Sequence, residues 1–316
     1  MPRLIRAVRL SAHGAPLRVE EVALREPGPG EVVVELAAAA VNPVDRYAAQ
    51  GLVAPDAPLP RTLGGEGAGW FDGEPVAIAG GGGLGSTADG TWAEAVVVER
   101  DKLIVLDSVV DLAAASGLGV AGVTAYKTVV EVGQVISSDR VLVLGAAGGV
   151  GLAIVSLALA AGARVLGQAG SEEKAAAVRA FGAEACVADA GSLAAAARDF
   201  EPTVVFDPLG GGFTPAALSV LAPRGRHVIF GTSAGSQSEI ALQPLYRGSQ
   251  RILGYGGLGL SAAERQAGAE AAAGALTEGR LRIHVGKVIA LSEAAGVFDA
   301  LTDRSLAGKL VIDCSR

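Results

Sequence analysis

The sequence predicts an α/β protein whose middle is a doubly wound parallel sheet and whose first third is β-rich. Three observations predict it. From Arg140 onward, short apolar runs alternate with Ala-rich helical stretches, the pattern of βαβ units. The first of those runs leads straight into glycines at 145, 148 and 151, and a helical stretch follows at once. Before residue 110 the chain carries strand and turn signals and few helix signals. A chain of 316 residues suits about two domains, at roughly 100–200 residues each.

Each element has a local reason. Val32–Leu36 is a β-branched string after Pro27-Gly-Pro-Gly30 and reads as a strand, as does Trp92–Val98. Glycine clusters at Gly64–Gly69 and Gly80–Gly85 mark loops between them. Asp111 caps a helix through Ala113–Ala115, and Val123–Val132 is a further helical run. Strands are then expected at Val141–Leu144, Arg164–Gln168, Val204–Asp207 and His227–Gly231. Helices are expected between them at Val150–Ala161, Glu172–Phe181 and Pro215–Leu221. Ile252–Tyr255 reads as a sixth strand. Ser261 and Glu264 form a capping box for a helix running to Leu276, and the tail Ile283–Ile312 is mixed.

Composition narrows the function. Half the chain is apolar, 19% is charged, and the formal net charge is −7. That excludes disorder as the dominant state. A pI near 5.1 speaks against a basic nucleic-acid binder. Cys186 and Cys314 are the only cysteines, and His13, His227 and His284 the only histidines. No CxxC pair or histidine cluster exists, which excludes a structural zinc site of the usual spacing. Two distant cysteines fit a reducing cytoplasm. Met1–Leu10 carries three arginines and no apolar stretch of signal-peptide length. No apolar run is long and glycine-free enough for a membrane span. The expected partner is a small molecule, not a nucleic acid or a membrane.

The glycine-rich turn carries the chemistry. Arg140-Val-Leu-Val-Leu-Gly145-Ala-Ala-Gly148-Gly-Val-Gly151 has the spacing GxxGxxG, a variant of the dinucleotide-binding turn. Such a turn needs a tight bend, backbone bare of Cβ against a pyrophosphate, and close helix–strand contact. The helix N-terminus then offers free N–H groups and a positive dipole end to phosphates. Ala147, Gly149 and Val150 complete the cradle. No Lys-Ser/Thr follows, so a triphosphate-binding loop is excluded. In NAD binders an acidic residue about 20 positions on accepts the ribose hydroxyls. Here that position is vacant: Ala169 is followed by Gly170, Ser171, Glu172, Glu173 and Lys174. Gly170 leaves room for a 2′-phosphate that Ser171 and Lys174 can hold. NADPH is therefore expected over NADH, with Glu172 and Glu173 facing solvent at a helix start.

The whole chain resembles the medium-chain dehydrogenase/reductase superfamily, in its zinc-independent quinone oxidoreductase (zeta-crystallin-like) branch. The resemblance rests on ordered segments. They include Ala40-Val-Asn-Pro-Val-Asp45, Leu63-Gly-Gly-Glu-Gly-Ala-Gly69, Gly90-Thr-Trp-Ala-Glu94 and Gly119–Tyr126. Gly145–Gly151, Ala169–Lys174, Ala222–Gly231 and Gly308-Lys-Leu-Val311 complete the set. It implies a Rossmann domain at 119–258 and a GroES-like catalytic domain from 1–118 and 259–316. It also implies a homodimer or tetramer, with the dimer expected here. By the same resemblance Thr124 and the segment Phe230, Gly231, Thr232 and Ser233 lie along the nicotinamide. The Gly254-Tyr-Gly-Gly257 stretch is expected to shape either the acceptor pocket or the subunit contact.

Zinc-dependent relatives carry a Cys and a His-Glu where this chain has Asn42 and Gly65-Glu66. That set cannot supply a tetrahedral zinc site, so no metal is expected. Without a Lewis acid the acceptor must already be electrophilic, as a quinone or an α,β-unsaturated carbonyl is. The candidate catalytic residues are Asn42, Asp45 and Tyr47. Asn42 is placed to bond the cofactor or the substrate carbonyl, although an Asn before Pro43 also suits a turn. Asp45 would order the neighbouring backbone, and Tyr47 is the one hydroxyl donor of the three. The chain departs from the branch where Leu52-Val53 replaces a tyrosine, at Asp189 near the adenosine, and in a short Gly69–Glu74 segment. Two rivals remain. One is an enoyl-thioester reductase, whose usual lysine is replaced near Thr232. The other is a cofactor-binding sensor or structural protein with little turnover.

Overall fold

The computed structural model describes residues 2–81, 83–301, 303 and 305–316, so Gly82 of the second glycine cluster lies outside the described residues. The chain divides into two compact units. One comprises Met1–Val123, Leu260–Gly279 and Ile283–Arg316, and the other Thr124–Gly259 and Arg280–Arg282.

The amino-terminal chain is mostly strand. It runs β1 (Leu4–Leu10), β2 (Arg18–Ala23), β3 (Glu31–Val41), α1 (Pro43–Ala49), β4 (Arg61–Thr62), β5 (Gly67–Phe71), β6 (Glu74–Ile78), β7 (Ala95–Glu99), β8 (Leu103–Val105) and α2 (Leu112–Ala115). The Val32–Leu36 string is the first half of the long strand β3, which runs on to Val41. The Trp92–Val98 expectation needs correcting, because β7 begins only at Ala95. Trp92 is fully buried instead, with its indole N–H donating to the Ala40 carbonyl at 3.3 Å. Helix α1 falls where turn signals dominated. Pro43 sits at its first position, where a missing N–H is harmless. The Asp111 cap forms as expected, accepting from the Ala113 N–H at 3.0 Å.

A helical segment follows, in which α3 (Val123–Tyr126) is flanked by wider π-type turns at Leu118–Gly122 and Lys127–Val132. Then come β9 (Arg140–Val143), α4 (Gly149–Ala160), β10 (Arg164–Ala169), α5 (Glu172–Ala180), β11 (Glu184–Val187), α6 (Leu193–Ala196), β12 (Val204–Asp207), α7 (Phe213–Val220), β13 (Arg226–Ile229), α8 (Leu242–Arg247) and β14 (Arg251–Gly254). Strand β11 is absent from the sequence expectation. It is only four residues long and begins on a glutamate. The sheet order is β11-β10-β9-β12-β13-β14, and every pair is parallel. Counted from β9 this is 3-2-1-4-5-6, the doubly wound Rossmann order, whose crevice opens where the winding reverses between strands 1 and 4. Here those are β9 and β12. Helix α4 is apolar on almost every side and buried from Gly151 to Ala158.

The chain returns through α9 (Ala262–Thr277), β15 (Val285–Ala290), α10 (Val297–Leu301) and β16 (Lys309–Asp313). The capping box of α9 forms, with Glu264 accepting from the Ser261 N–H at 2.9 Å. Strands β15 and β16 complete a seven-stranded sheet in the order β15-β16-β3-β5-β6-β8, with β7 also paired to β3. A smaller sheet, β2-β1-β4, belongs to the same unit. Their shared core holds Trp92, Leu63, Ile78, Leu310 and Ile312. The β-rich unit is GroES-like and the other is Rossmann-like, as expected.

Candidate active site

In the Rossmann-like unit the glycine-rich turn follows β9 directly. Gly145 takes φ +59°, a left-handed conformation that favours glycine. A Cβ on Gly151 would lie 2.5 Å from the Gly145 carbonyl oxygen, so close packing of the turn on α4 demands glycine there. Gly148 is different. Its nearest would-be neighbour is at 3.4 Å, and it is exposed. Gly170, after β10, has nothing within 4 Å and no positive φ. The protein's own packing does not require glycine at 148 or 170. Gly148 leaves exposed bare backbone at the N-terminus of α4, and Gly170 faces open space beside the N-terminus of α5.

Gln168 ties these turns together. It is buried, accepts from the Gly145 N–H at 2.9 Å, and donates to the Ala188 carbonyl at 2.5 Å. Ser171 caps α5, accepting from the Lys174 N–H at 3.3 Å. Glu172 is engaged by Arg179 at 2.6 Å, which holds its carboxyl below the usual range and turns that charge along α5. Asp189 bonds the Ser192 hydroxyl and N–H at 2.7 and 2.8 Å, and those bonds lower its pKa. Beyond β13, Ser233 donates its N–H to the Pro208 carbonyl at 3.1 Å and Phe230 donates to Asp207 at 3.0 Å. Gly231, Thr232 and Ser233 therefore run beside the turn that follows β12. Thr124 is half-buried, with its carbonyl taken by the Thr128 hydroxyl at 2.7 Å.

In the GroES-like unit a buried polar cluster lies at the start of α1. Lys309 Nζ, on β16, donates to Asn42 Oδ1 at 2.7 Å, to Glu66 Oε1 at 3.1 Å and to the Val41 carbonyl at 3.1 Å. Asn42 Nδ2 donates to Glu66 Oε1 at 2.7 Å, and Glu66 Oε2 accepts from the Val120 N–H at 2.6 Å. Asn42, Glu66 and Lys309 are each at most 4% exposed. Asp45 Oδ2 accepts the Asn42 N–H at 2.7 Å, as a capping-box carboxylate does. Burial pushes the Asp45 carboxyl up to about 7, opposed by that bond and by the Lys309 ammonium. Tyr47 stands apart from the cluster and is 42% exposed. Asn42 and Asp45 are thus brought together through the Asn42 N–H. The Lys309–Glu66 ion pair at their centre was missed by reading the sequence, which carried Lys309 only as part of a terminal motif. A lysine at the head of the buried strand Lys309–Asp313 is the signal that points to it.

A quinone oxidoreductase of Pseudomonas aeruginosa is 30% identical to this chain over 331 residues, covering 98% of this chain and 99% of its own. The chain belongs to the quinone oxidoreductase family. It is accordingly a medium-chain dehydrogenase/reductase and an oxidoreductase. A family signature described as zinc-binding dehydrogenase matches residues 149–273. The quinone oxidoreductase of Thermus thermophilus, solved also in complex with NADPH, is 30% identical and superposes with a TM-score of 0.83 over 98% of this chain and 99% of its own. A structure described as an NAD-dependent alcohol dehydrogenase is 28% identical, with a TM-score of 0.87 over 98% and 99% of the two chains.

The name of the matched signature raises the question of zinc. The residues present do not fit it. Gly65 offers no side-chain ligand, and Asn42 and Glu66 are committed to the Lys309 ammonium and the Val120 N–H. A zinc ion needs thiolate, imidazole or carboxylate donors free to converge on it. Among the described residues no group of three His, Cys, Asp or Glu side chains could hold a metal.

Proposed function

We propose that the protein is an NADPH-dependent, zinc-independent reductase of quinones or α,β-unsaturated carbonyls, acting as a cytoplasmic homodimer. The observation that carries it is the pair of glycines, 148 and 170, kept bare where the fold has no need of glycine. Gly148 backs a pyrophosphate on the N-terminus of α4. Gly170 gives space for a 2′-phosphate, with Ser171 and Lys174 as its donors. Glu172 does not oppose that charge, being paired along the helix with Arg179. The NADPH-bound relative from Thermus thermophilus supports the same choice.

When bound, the reduced nicotinamide supplies the hydride. The chain's residues supply position and charge. Phe230–Ser233 form the edge against which the cofactor rests. The Asn42–Glu66–Lys309 cluster sets a fixed dipole and a buried cation at the start of α1. Asp45 holds the Asn42 backbone, and Tyr47 has the exposed hydroxyl able to deliver a proton. The dimer reading draws support from β14. It is the last strand of its sheet, Ile252 on it is 37% exposed, and Tyr246 and Leu258 in the flanking segments are exposed too.

Direct binding titrations test the cofactor assignment. Lys174→Ala should weaken NADPH about tenfold and leave NADH within about twofold, as expected for one lost charge-assisted contact. Equal losses on both nucleotides would refute the 2′-phosphate site.

A further inference from the structure

The Rossmann-like unit buries a hydrogen-bonded carboxylate–imidazole pair. Asp207, the last residue of β12, and His227, on β13, are both fully buried. His227 Nε2 donates to Asp207 Oδ2 at 2.9 Å, and the Thr214 hydroxyl donates to the same oxygen at 2.7 Å. Asp207 Oδ1 accepts the N–H groups of Leu209 and Gly210 at 2.8 and 2.9 Å. The carboxylate therefore takes four hydrogen bonds, two of them from the backbone of the turn after β12. His227 Nδ1 is buried without a partner, so the imidazole spends its single bond on Asp207.

That turn is not free-standing. Gly210 takes φ +66°, and a Cβ there would lie 2.4 Å from the Gly235 carbonyl oxygen. A Cβ on Gly231 would lie 2.7 Å from the Pro208 carbonyl oxygen. Ser233 and Ala234 donate their N–H groups to Pro208 and Leu209 at 3.1 and 2.7 Å, and Gly211 donates to Gly235 at 2.9 Å. Two loops, 208–211 and 231–235, are thus zipped backbone to backbone at the carboxyl ends of adjacent strands. Pro208 and Leu209 also border Gly145, whose would-be Cβ lies 3.5–3.6 Å from their side chains.

A fully buried carboxylate is expensive to desolvate, and apolar residues can fill such a place at no loss of stability. Its bonds here reach into the turn that follows β12. We propose that Asp207 and His227 are positioning residues: the pair fixes the 208–211 turn, and through it the zipped 231–235 loop, as the rim on which the nicotinamide half of the cofactor is laid. This rests on the proposed cofactor site and adds residues that do not touch the cofactor.

The test uses His227→Leu, His227→Gln and Thr214→Val in the full chain. The Gln amide keeps a donor where Nε2 stands, the Leu side chain does not, and Thr214→Val removes one bond while leaving the His227–Asp207 hydrogen bond. Dissociation constants for NADPH, KM and kcat, and amide exchange at 208–211 and 231–235 are measured. His227→Leu should raise the NADPH dissociation constant and KM about tenfold, keep kcat at saturation within about threefold, and speed exchange in both loops. His227→Gln should restore the wild-type values within about twofold, and Thr214→Val should fall between. Unchanged NADPH binding in His227→Leu, with wild-type binding intact, would overturn the positioning role alone. So would a loss that His227→Gln fails to restore. Should His227→Leu not fold, Thr214→Val with wild-type KM overturns it instead. A wild-type protein that binds neither NADPH nor NADH would overturn the cofactor reading and this inference together.

Discussion

Lys309 shows how much one side chain can carry. Its ammonium uses all three N–H groups on Asn42, Glu66 and the Val41 carbonyl, in a place closed to water. Replacing it by Met would leave the Glu66 carboxylate buried with no countercharge. Removing one partner of such a pair costs about 3–5 kcal/mol, far more than an exposed pair contributes. Urea unfolding of Lys309→Met should show a loss of that order, and a loss under about 1 kcal/mol would contradict the geometry. The Lys309 partners are separated from it by 243 and 267 residues. No local pattern announces contacts at such range, which is why Asn42 was legible as a site residue and its partner was not. Asp45 makes a second residue-scale prediction. Its folded pKa is about 7, above the unfolded carboxylate value. The unfolded chain gives up this proton as pH passes about 4, and the folded chain keeps it until about 7. Stability from this group is therefore present in acid and lost as pH rises across that window, by at most about 4 kcal/mol. The difference in unfolding free energy between wild type and Asp45→Asn, taken at pH 5 and pH 8, should change in that direction. No change would contradict it.

At the scale of elements, the glycine-rich turn was the most legible feature. Its spacing encodes backbone requirements that hold wherever a strand feeds a helix this tightly. The structure separates those requirements. Gly151→Ala meets the Gly145 and Ala146 carbonyl oxygens at 2.5 and 2.6 Å, and the turn must move. Gly148→Ala meets one carbonyl oxygen at 3.4 Å. Gly151→Ala should therefore lower stability by about 2 kcal/mol, of the order of core overpacking. Gly148→Ala should fold normally and bind NADPH at least about tenfold more weakly, because its methyl group enters the phosphate cradle. Thermal melts and binding titrations on the two variants check this, and weak stability with normal binding in Gly148→Ala would contradict it. Other elements were less legible. Strand β11 is four residues long and half-exposed, so it lacks the apolar run that marked β9 and β12. Within the first π-type turn before α3, Val120 gives its N–H to Glu66, a contact set outside the helix.

Over the whole molecule, alternation of strand and helix marked five of the six strands of the Rossmann-like unit, all but β11, and the β-rich opening marked the class of the other unit. The strand connections of that second unit were not legible. Its central strand β3 pairs with β16 at the far end of the chain, joining Val41 to Leu310. The polar cluster at its α1 end depends on partners 243 and 267 residues away, whereas Asp207 and His227 meet only because β12 and β13 lie side by side in the sheet. Together with the bare glycines these features are the basis for the proposal that this oxidoreductase handles its acceptor by placement and buried charge. The most direct test is anaerobic consumption of NADPH by chelator-treated enzyme, with a simple quinone and a short trans-2-enoyl thioester in parallel. The account predicts saturable turnover of the quinone, unaffected by chelation and faster than that of the thioester. Turnover that disappears on chelation, or that favours the thioester, would contradict it.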